Sequence, residues 1–368
     1  MVIAYDLRYA SDHFAGVGVY AYSVLEALLD LPSDERYVVL WNPHWRNTRF
    51  DLERLRNHPR VEWVEFPAHP IRPTGAIAVG AWLRRVKPAV YCSPFSLRPF
   101  GSGCPEVLTL HDVSPLRTAH IATWFARQLY RMSLHHALGA RFILTASEFS
   151  RGEILSFTRA RAKQVRVALP GVARPRLDLI PRRPAGVPDG PFALLVGDNR
   201  PRKNLETVAR AWALLGDAPP LTLVGVGPVD SRFASLMDFA RIAGARQVVH
   251  LGWVMTEEKA WLYEHAGMLL FPSVYEGFGS PLAEALASGL PALASDIPVF
   301  REVARDAAAH VAPCDPEAWA QSVRRIAGDP SERERLRRAG IVRAAELTYR
   351  RTAEATLAVL REAAGSRT

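Results

Sequence analysis

The sequence predicts an α/β protein made of two doubly wound parallel-sheet domains that face an interdomain cleft. Three observations carry that prediction. Short apolar runs alternate with amphipathic helical stretches, a pattern that buries parallel strands between two helical layers. The alternation runs twice, interrupted between Pro170 and Pro191 by a stretch with six prolines and several arginines, which has the composition of a linker. Loops rich in glycine or charge follow several strands, and ligands of such sheets bind beyond the strand C-termini.

Taken in order, the first domain (residues 1–172) places strands at 2–5, 37–41, 61–66, 89–92, 106–110, 142–146 and 165–168. Residues 173–191 form the linker. The second domain (192–346) restarts with strands at 192–196, 221–224, 248–251, 268–271, 292–294 and 309–311. The charged stretch 330–361 reads as two helices, and residues 347–368 form the C-terminal helix.

Size and composition agree with this plan. A chain of 368 residues accommodates two ordinary domains, and 49% hydrophobic with 23% charged residues is a soluble globular composition. The longest apolar runs, such as residues 267–272, are too short to span a bilayer. The N-terminal Met-Val-Ile-Ala-Tyr reads as a first strand rather than a signal peptide. Cys92, Cys104 and Cys314 are far apart and odd in number, fitting no metal or redox spacing and pointing to a reducing, cytoplasmic setting. The net charge of +9 calls for an acidic partner. Nucleic acid is set aside, because the arginines are scattered and no nucleic-acid motif stands out. Compositional bias and peripheral contact with anionic lipid at the inner face of the membrane are the favoured readings.

Several loops carry chemistry. Gly16-Val17-Gly18-Val19-Tyr20-Ala21 precedes a helix at 20–29 and formally fits a dinucleotide fingerprint. The glycines trail the first strand by about ten residues, too far for the tight turn of that fingerprint. The next strand ends at Trp41-Asn42 with no acidic residue to hold a ribose. An oxidoreductase therefore stays only as a rival class, which absence of NAD binding in a titration would remove. His111-Asp112 follows the strand at 106–110, and Ser147 is placed to cap the helix after the strand at 142–146. Between 117 and 136 an amphipathic helix aligns Ile121, Trp124, Phe125, Leu129 and Met132, with Arg127 and Arg131 nearby. This stripe is expected to pack on its own sheet; interfacial membrane binding is the alternative.

The second domain opens with Gly197-Asp198-Asn199-Arg200-Pro201-Arg202-Lys203-Asn204 after its first strand. Cations just ahead of a helix oppose the dipole's preference for anionic side chains, and they suit a diphosphate. Each unit-charge pairing at about 4 Å and an effective dielectric near 20 gives about 4 kcal/mol before desolvation. Gly225, Gly227 and Gly252 follow later strands. The stretch Leu-Phe-Pro-Ser-Val-Tyr-Glu-Gly-Phe-Gly-Ser-Pro-Leu-Ala-Glu, residues 270–284, reads as a strand end, a glycine-rich loop and a helix. Ser280 is expected as its cap, Pro281 at its first position and Gly289 as its left-handed stop. Glu276 competes with an anion for the helix amides, so it suits neutral hydroxyls beside a bound phosphate. A ligand with both sugar and phosphate follows.

Glu276-Gly277-Phe278-Gly279 followed by Glu284 resembles the paired-glutamate signature of glycosyltransferase family 4, retaining enzymes of the GT-B fold, two Rossmann-like domains around a cleft. His111-Asp112, Ser147-Glu148-Phe149-Ser150 and Pro201-Arg202-Lys203-Asn204 are similar to the mannosyltransferase-like branch. Two departures stand out: Asp198 where many members carry arginine, and Pro170 where asparagine is usual. The resemblance implies that Glu284 binds the ribose, Glu276 the donor sugar, and His111 the donor's 6-hydroxyl. Arg202 and Lys203 neutralise the departing diphosphate. Amides of Phe278, Gly279, Ser280 and Leu282 hold sugar and phosphate, and the loop with Gly16 and Gly18 approaches the donor phosphates. The last helix is expected to return to the first domain.

The resemblance further implies front-face transfer of a hexosyl group, best matched by mannosyl from GDP-mannose, to a glycan or lipid-linked saccharide in cell-surface polysaccharide synthesis. No cofactor and no metal are expected, and the chain has no Asp-x-Asp triplet of the metal-dependent fold. UDP- or dTDP-linked glucose or rhamnose donors, a UDP-GlcNAc epimerase and a sugar-nucleotide-binding protein without turnover are the alternatives.

Overall fold

The computed structural model describes residues 1–117, 124–172 and 180–365. All thirteen expected strands form within them. They are β1 Val2–Asp6, β2 Arg36–Trp41, β3 Val61–Glu65, β4 Val90–Ser93, β5 Glu106–Thr109, β6 Phe142–Thr145, β7 Val165–Val167, β8 Phe192–Val196, β9 Thr222–Val226, β10 Val248–His250, β11 Met268–Phe271, β12 Ala292–Ser295 and β13 Ala309–Val311. Interior strands such as β8 (Phe-Ala-Leu-Leu-Val) and β11 (Met-Leu-Leu-Phe) are apolar throughout because helices cover both faces. The edge strand β3 reads Val-Glu-Trp-Val-Glu and turns its glutamates outward, which discourages pairing with another chain.

The strands make two parallel sheets, ordered β3-β2-β1-β4-β5-β6-β7 and β10-β9-β8-β11-β12-β13. In each sheet the order reverses beside the first strand, between β1 and β4 and between β8 and β11. Loops leaving those paired strands diverge and open a crevice, the usual ligand position of a doubly wound sheet. The chain divides into two compact units, Met1–Ala173 with Thr348–Thr368, and Arg174–Leu347. Each is a Rossmann-like α/β unit. Of the expected linker, residues 173–179 lie outside the described residues, as do 366–368 at the C-terminus.

In the first unit the helix Ala15–Asp30 packs Ala21, Val24, Leu25 and Leu28 against Ala353, Leu357 and Leu360 of the helix Tyr349–Gly365. Thr352 Oγ1 donates to the Leu169 carbonyl at 2.7 Å, and Arg361 pairs with Glu35 at 2.8 Å. In the second unit Trp212 and Trp319 are fully buried on one face of the sheet. Among the described residues, no helix is long and apolar enough to cross a membrane.

Three expectations change. The first helix starts at Ala15 rather than at residue 20, so Gly16 and Gly18 sit in its opening turn instead of in a loop ahead of it. Stacking of Phe14 on Trp45, with centroids 5.0 Å apart, anchors that early start. Gly18 is needed there, because a Cβ would fall 2.8 Å from the Tyr9 carbonyl oxygen. The second change concerns the apolar stripe of the helix Trp124–Ala137, which points outward: the sheet takes Leu134 and Ala137 instead. Ile121 lies outside the described residues. The third, the capping of the helix after β11, belongs to the site.

Candidate functional site

The loop after β8 is tied to the loop after β11 by one asparagine. Pro201–Lys203 forms a single 3-10 turn that ends at Asn204 in the left-handed region, φ 53°, a conformation asparagine tolerates better than most residues. Asn204 Nδ2 donates to the carbonyls of Pro272 (3.1 Å) and Pro313 (2.6 Å), while its Oδ1 accepts from Thr207. The Val274 amide donates to the Arg202 carbonyl at 2.8 Å. These bonds pin two basic side chains against the strand end that carries Glu276.

There Arg202, Lys203 and Glu276 form one ion cluster. Lys203 Nζ is 2.7 Å from Glu276 Oε1, and Arg202 Nη1 is 2.7 Å from Oε2. Lys203 and Glu276 are only 8% and 9% exposed, so solvent screens the cluster weakly. The Lys203 ammonium also lies over the Phe271 ring, 5.1 Å from its centroid. Burial alone raises the Glu276 pKa, but Lys203 and then Arg202 outweigh it and hold the carboxyl well below its ordinary range. Glu276 is an anion here at neutral pH. Two cations around one carboxylate leave a net positive site, suited to an anionic ligand.

The helix Ser280–Ala287 begins beside this cluster. Ser280 does not cap it; Gly279 occupies that position with φ 94° and no side-chain cap. A Cβ there would lie 2.8 Å from the Phe300 ring and 3.1 Å from Phe271, so only glycine fits both the conformation and the space. Pro281 accordingly falls second in the helix. The first turn is tight, with the Leu282 amide donating to the Gly279 carbonyl at 2.9 Å. That bond engages the Leu282 amide expected for the ligand, and the Phe278 and Leu282 side chains are core residues. Gly289 closes the helix at φ 66°, its amide bonding Leu286 while Leu290 bonds Ala285.

Glu284, on the same helix, is held by two groups that sequence reasoning did not single out. Lys259 Nζ lies 2.9 Å from Oε1, and Tyr263 Oη donates to Oε2 at 2.7 Å. Burial first, then the Glu284 charge, keeps the Tyr263 phenol protonated as a donor. Lys259 and Tyr263 sit four residues apart on the helix Thr256–His265. That spacing puts two polar groups on one face, the signal by which they were findable.

In the first unit His111 follows β5. Its Nε2 lies 3.0 Å from the Pro94 carbonyl, which assigns the proton to Nε2, and its ring meets the Tyr20 ring edge-on at 4.8 Å. Burial lowers its pKa, so the imidazole is neutral near pH 7. Asp112 does not orient that ring; its Oδ1 accepts from the Ser114 amide at 2.8 Å. Ser147 Oγ caps the following helix through the Ser150 amide, as expected. A buried group at the end of β1 went unread: Asp6 takes Arg8 through both oxygens (2.8 and 2.6 Å) and Tyr91 Oη at 2.8 Å. Arg8 passes on to the Ala68 carbonyl, fixing the loop after β3.

The structure thus joins Arg202, Lys203 and Glu276 directly, with Phe278, Gly279, Ser280, Leu282 and Glu284 on the adjoining turn of the second unit. Gly16, Gly18 and His111 belong to the first unit.

Comparison with known proteins bears on this arrangement. Residues 180–343 match the family described as Glycosyl transferases group 1. An O-antigen chain mannosyltransferase B from Escherichia coli is 30% identical over 315 residues, covering 81% of this chain and 79% of that protein. Among solved structures, a sucrose-phosphate synthase from Thermosynechococcus elongatus superposes with a TM-score of 0.74 at 21% identity, with 98% of each chain covered. Anabaena HepE, solved with UDP-glucose, gives 0.74 at 16% identity, covering 98% of this chain and all of that one. With two Rossmann-like units of the GT-B kind and a relative of this similarity, the chain belongs to the group 1 glycosyltransferases.

Proposed function

We propose that this protein is a retaining, metal-independent transferase that moves a hexosyl group from a nucleotide sugar to a glycan or lipid-linked saccharide in cell-surface polysaccharide synthesis. Mannosyl from GDP-mannose is the favoured donor. The observation that carries this reading is the buried Arg202–Lys203–Glu276 cluster at the strand reversal of the second unit. The relative named as an O-antigen mannosyltransferase supports the sugar and the acceptor class.

In this mechanism the bond between the sugar's anomeric carbon and the donor phosphate oxygen breaks, and the bond to the acceptor oxygen forms on the same face. The departing phosphate takes the acceptor's proton. Negative charge grows on the diphosphate, where Arg202 and Lys203 stabilise it most. Glu276 holds the two cations in place and offers its oxygens to sugar hydroxyls. Glu284, oriented by Lys259 and Tyr263, takes the ribose hydroxyls, and neutral His111 serves the donor sugar. No cofactor is required, and the reaction belongs in the cytoplasm at the inner membrane face.

A thermal-shift series with GDP-, UDP-, dTDP- and ADP-sugars tests the donor, since a ligand bound to the folded state alone raises Tm. GDP-mannose should give the largest shift. A UDP-sugar giving it instead would favour a glucosyl-type donor, a reading supported by the UDP-glucose bound to Anabaena HepE. Transfer should persist in EDTA; loss restored by manganese would overturn the metal-free mechanism. Sugar epimerised without any acceptor would replace transfer with epimerisation, and binding without turnover would reduce the protein to a carrier.

A further inference from the structure

The face of the helix Trp124–Ala137 turned away from the sheet carries large apolar side chains. Trp124 is 74% exposed, Phe125 65%, Leu129 50% and Met132 68%. Their spacing puts all four on one side of the helix. Scattered exposed apolar residues are ordinary; four large ones on a single helical face mark an interaction surface.

Charge shows what the surface meets. From residue 113 to 147 the chain contains no aspartate or glutamate, while it contains Arg117, Arg127, Arg131 and Arg141. A short turn, residues 138–140, leads from the helix to Arg141, which opens a pocket of about 330 Å³. Arg161, Lys163 and Arg166 also line it, against one carboxylate, Glu362. Gln164 ties this wall to the end of the helix, its Nε2 donating to the carbonyls of Leu138 (2.6 Å) and Ala140 (2.7 Å). Arg141 and Arg166 both lie over the Phe142 ring, at 5.8 and 5.3 Å. The basic patch therefore adjoins the C-terminal end of the helix that carries the apolar face, on the same unit.

We infer that this strip is a membrane-docking surface for an anionic bilayer. The Trp124, Phe125, Leu129 and Met132 side chains enter the headgroup–acyl boundary, and Arg141, Arg161, Lys163 and Arg166 meet lipid phosphates. A helix with an apolar face and only basic charge is the composition such surfaces use. The strip also communicates with the first unit's site: Tyr130 Oη, on the same helix, donates to the Asp112 carbonyl at 3.3 Å. This extends the lipid-linked acceptor of the proposed function but does not depend on the donor.

The test is co-sedimentation of the full chain with vesicles of phosphatidylcholine alone and of phosphatidylcholine with about one-third phosphatidylglycerol. Binding is expected to the anionic vesicles only, and to weaken as salt rises. A Trp124→Ser, Phe125→Ser double variant and an Arg161→Glu, Lys163→Glu double variant should each lower partitioning roughly tenfold or more. Both should keep the parent's Tm and its turnover on a soluble saccharide acceptor. Should the first pair impair folding, the exposed Arg161 and Lys163 pair carries the test alone. Equal binding to neutral vesicles, no binding at all, or variants that partition like the parent would overturn the inference. So would a dimer that the Trp124→Ser, Phe125→Ser variant dissociates, since a second copy would then cover the face. Vesicle binding needs no turnover, so this result and the enzymatic one fail separately.

Discussion

Lys203 and Glu276 are 73 positions apart in the chain, yet their charged atoms are 2.7 Å apart. The lysine reaches that position along a stem packed near Gly197, with its ammonium over the Phe271 ring. Glu276 thereby faces two cations at once, and the cluster is a single electrostatic unit.

Glu276→Gln keeps the shape and removes the charge, leaving the buried Lys203 and the partly buried Arg202 facing an amide. Stability should fall by about 3 kcal/mol at pH 7, as when one partner of a buried pair is lost. The pH dependence has a definite sign. The folded-state pKa of Glu276 lies below its ordinary 4.5, so its contribution is complete above that value and is lost as pH falls through the folded one. Urea midpoints of parent and variant should differ at pH 7, and the gap should shrink as pH falls below 4.5 and close toward about pH 2. A gap that stayed constant would refute the charge explanation.

Lys203→Ala should lower kcat by roughly 10²–10³-fold, the range for loss of one transition-state charge partner, with modest change in KM. Lys203→Arg should not rescue it. The site takes a narrow stem ending in a point charge between Phe271 and Glu276, and a planar guanidinium is wider. Steady-state kinetics on variants with unchanged circular dichroism decides this; a fully active arginine variant would contradict it.

Tyr263→Phe deletes the hydroxyl that donates to Glu284 at 2.7 Å and lies 3.4 Å from the Pro281 carbonyl. On the ribose-binding role proposed for Glu284, nucleotide affinity should drop about fivefold, the equivalent of about 1 kcal/mol, while kcat stays near the parent's. Calorimetric titration with the nucleoside diphosphate reads it directly. Unchanged affinity would detach Glu284 from the nucleotide.

Gly279→Ala combines a left-handed backbone with a Cβ 2.8 Å from the Phe300 ring. The conformational term alone costs about 1–2 kcal/mol, and the ring must also shift, so a Tm several degrees lower is expected. The displaced helix start should weaken donor binding with it. Gly279→Ala with parental Tm and affinity would show the turn to be adaptable.

The sequence by itself determined the thirteen strands, because buried parallel strands are continuous apolar runs bounded by turn residues, a local property. It also singled out Arg202, Lys203, Glu276 and Glu284 as charges beside a strand–loop–helix corner, and the fold brings the first three into one ion cluster. Tertiary structure alone decided the rest. Ser280 and Gly279 are adjacent polar-loop residues, and only the packing of Phe271 and Phe300 showed that the cap needs a missing Cβ rather than a hydroxyl. The i,i+4 spacing of Lys259 and Tyr263 marks a shared polar face, but only the placement of their helix shows that this face meets Glu284. The stripe at Trp124, Phe125, Leu129 and Met132 has the period of a core helix, but period records that a helix has two faces, not which one the sheet takes. That choice was made by Leu134 and Ala137, whose fit against β5 and β6 is a property of three dimensions.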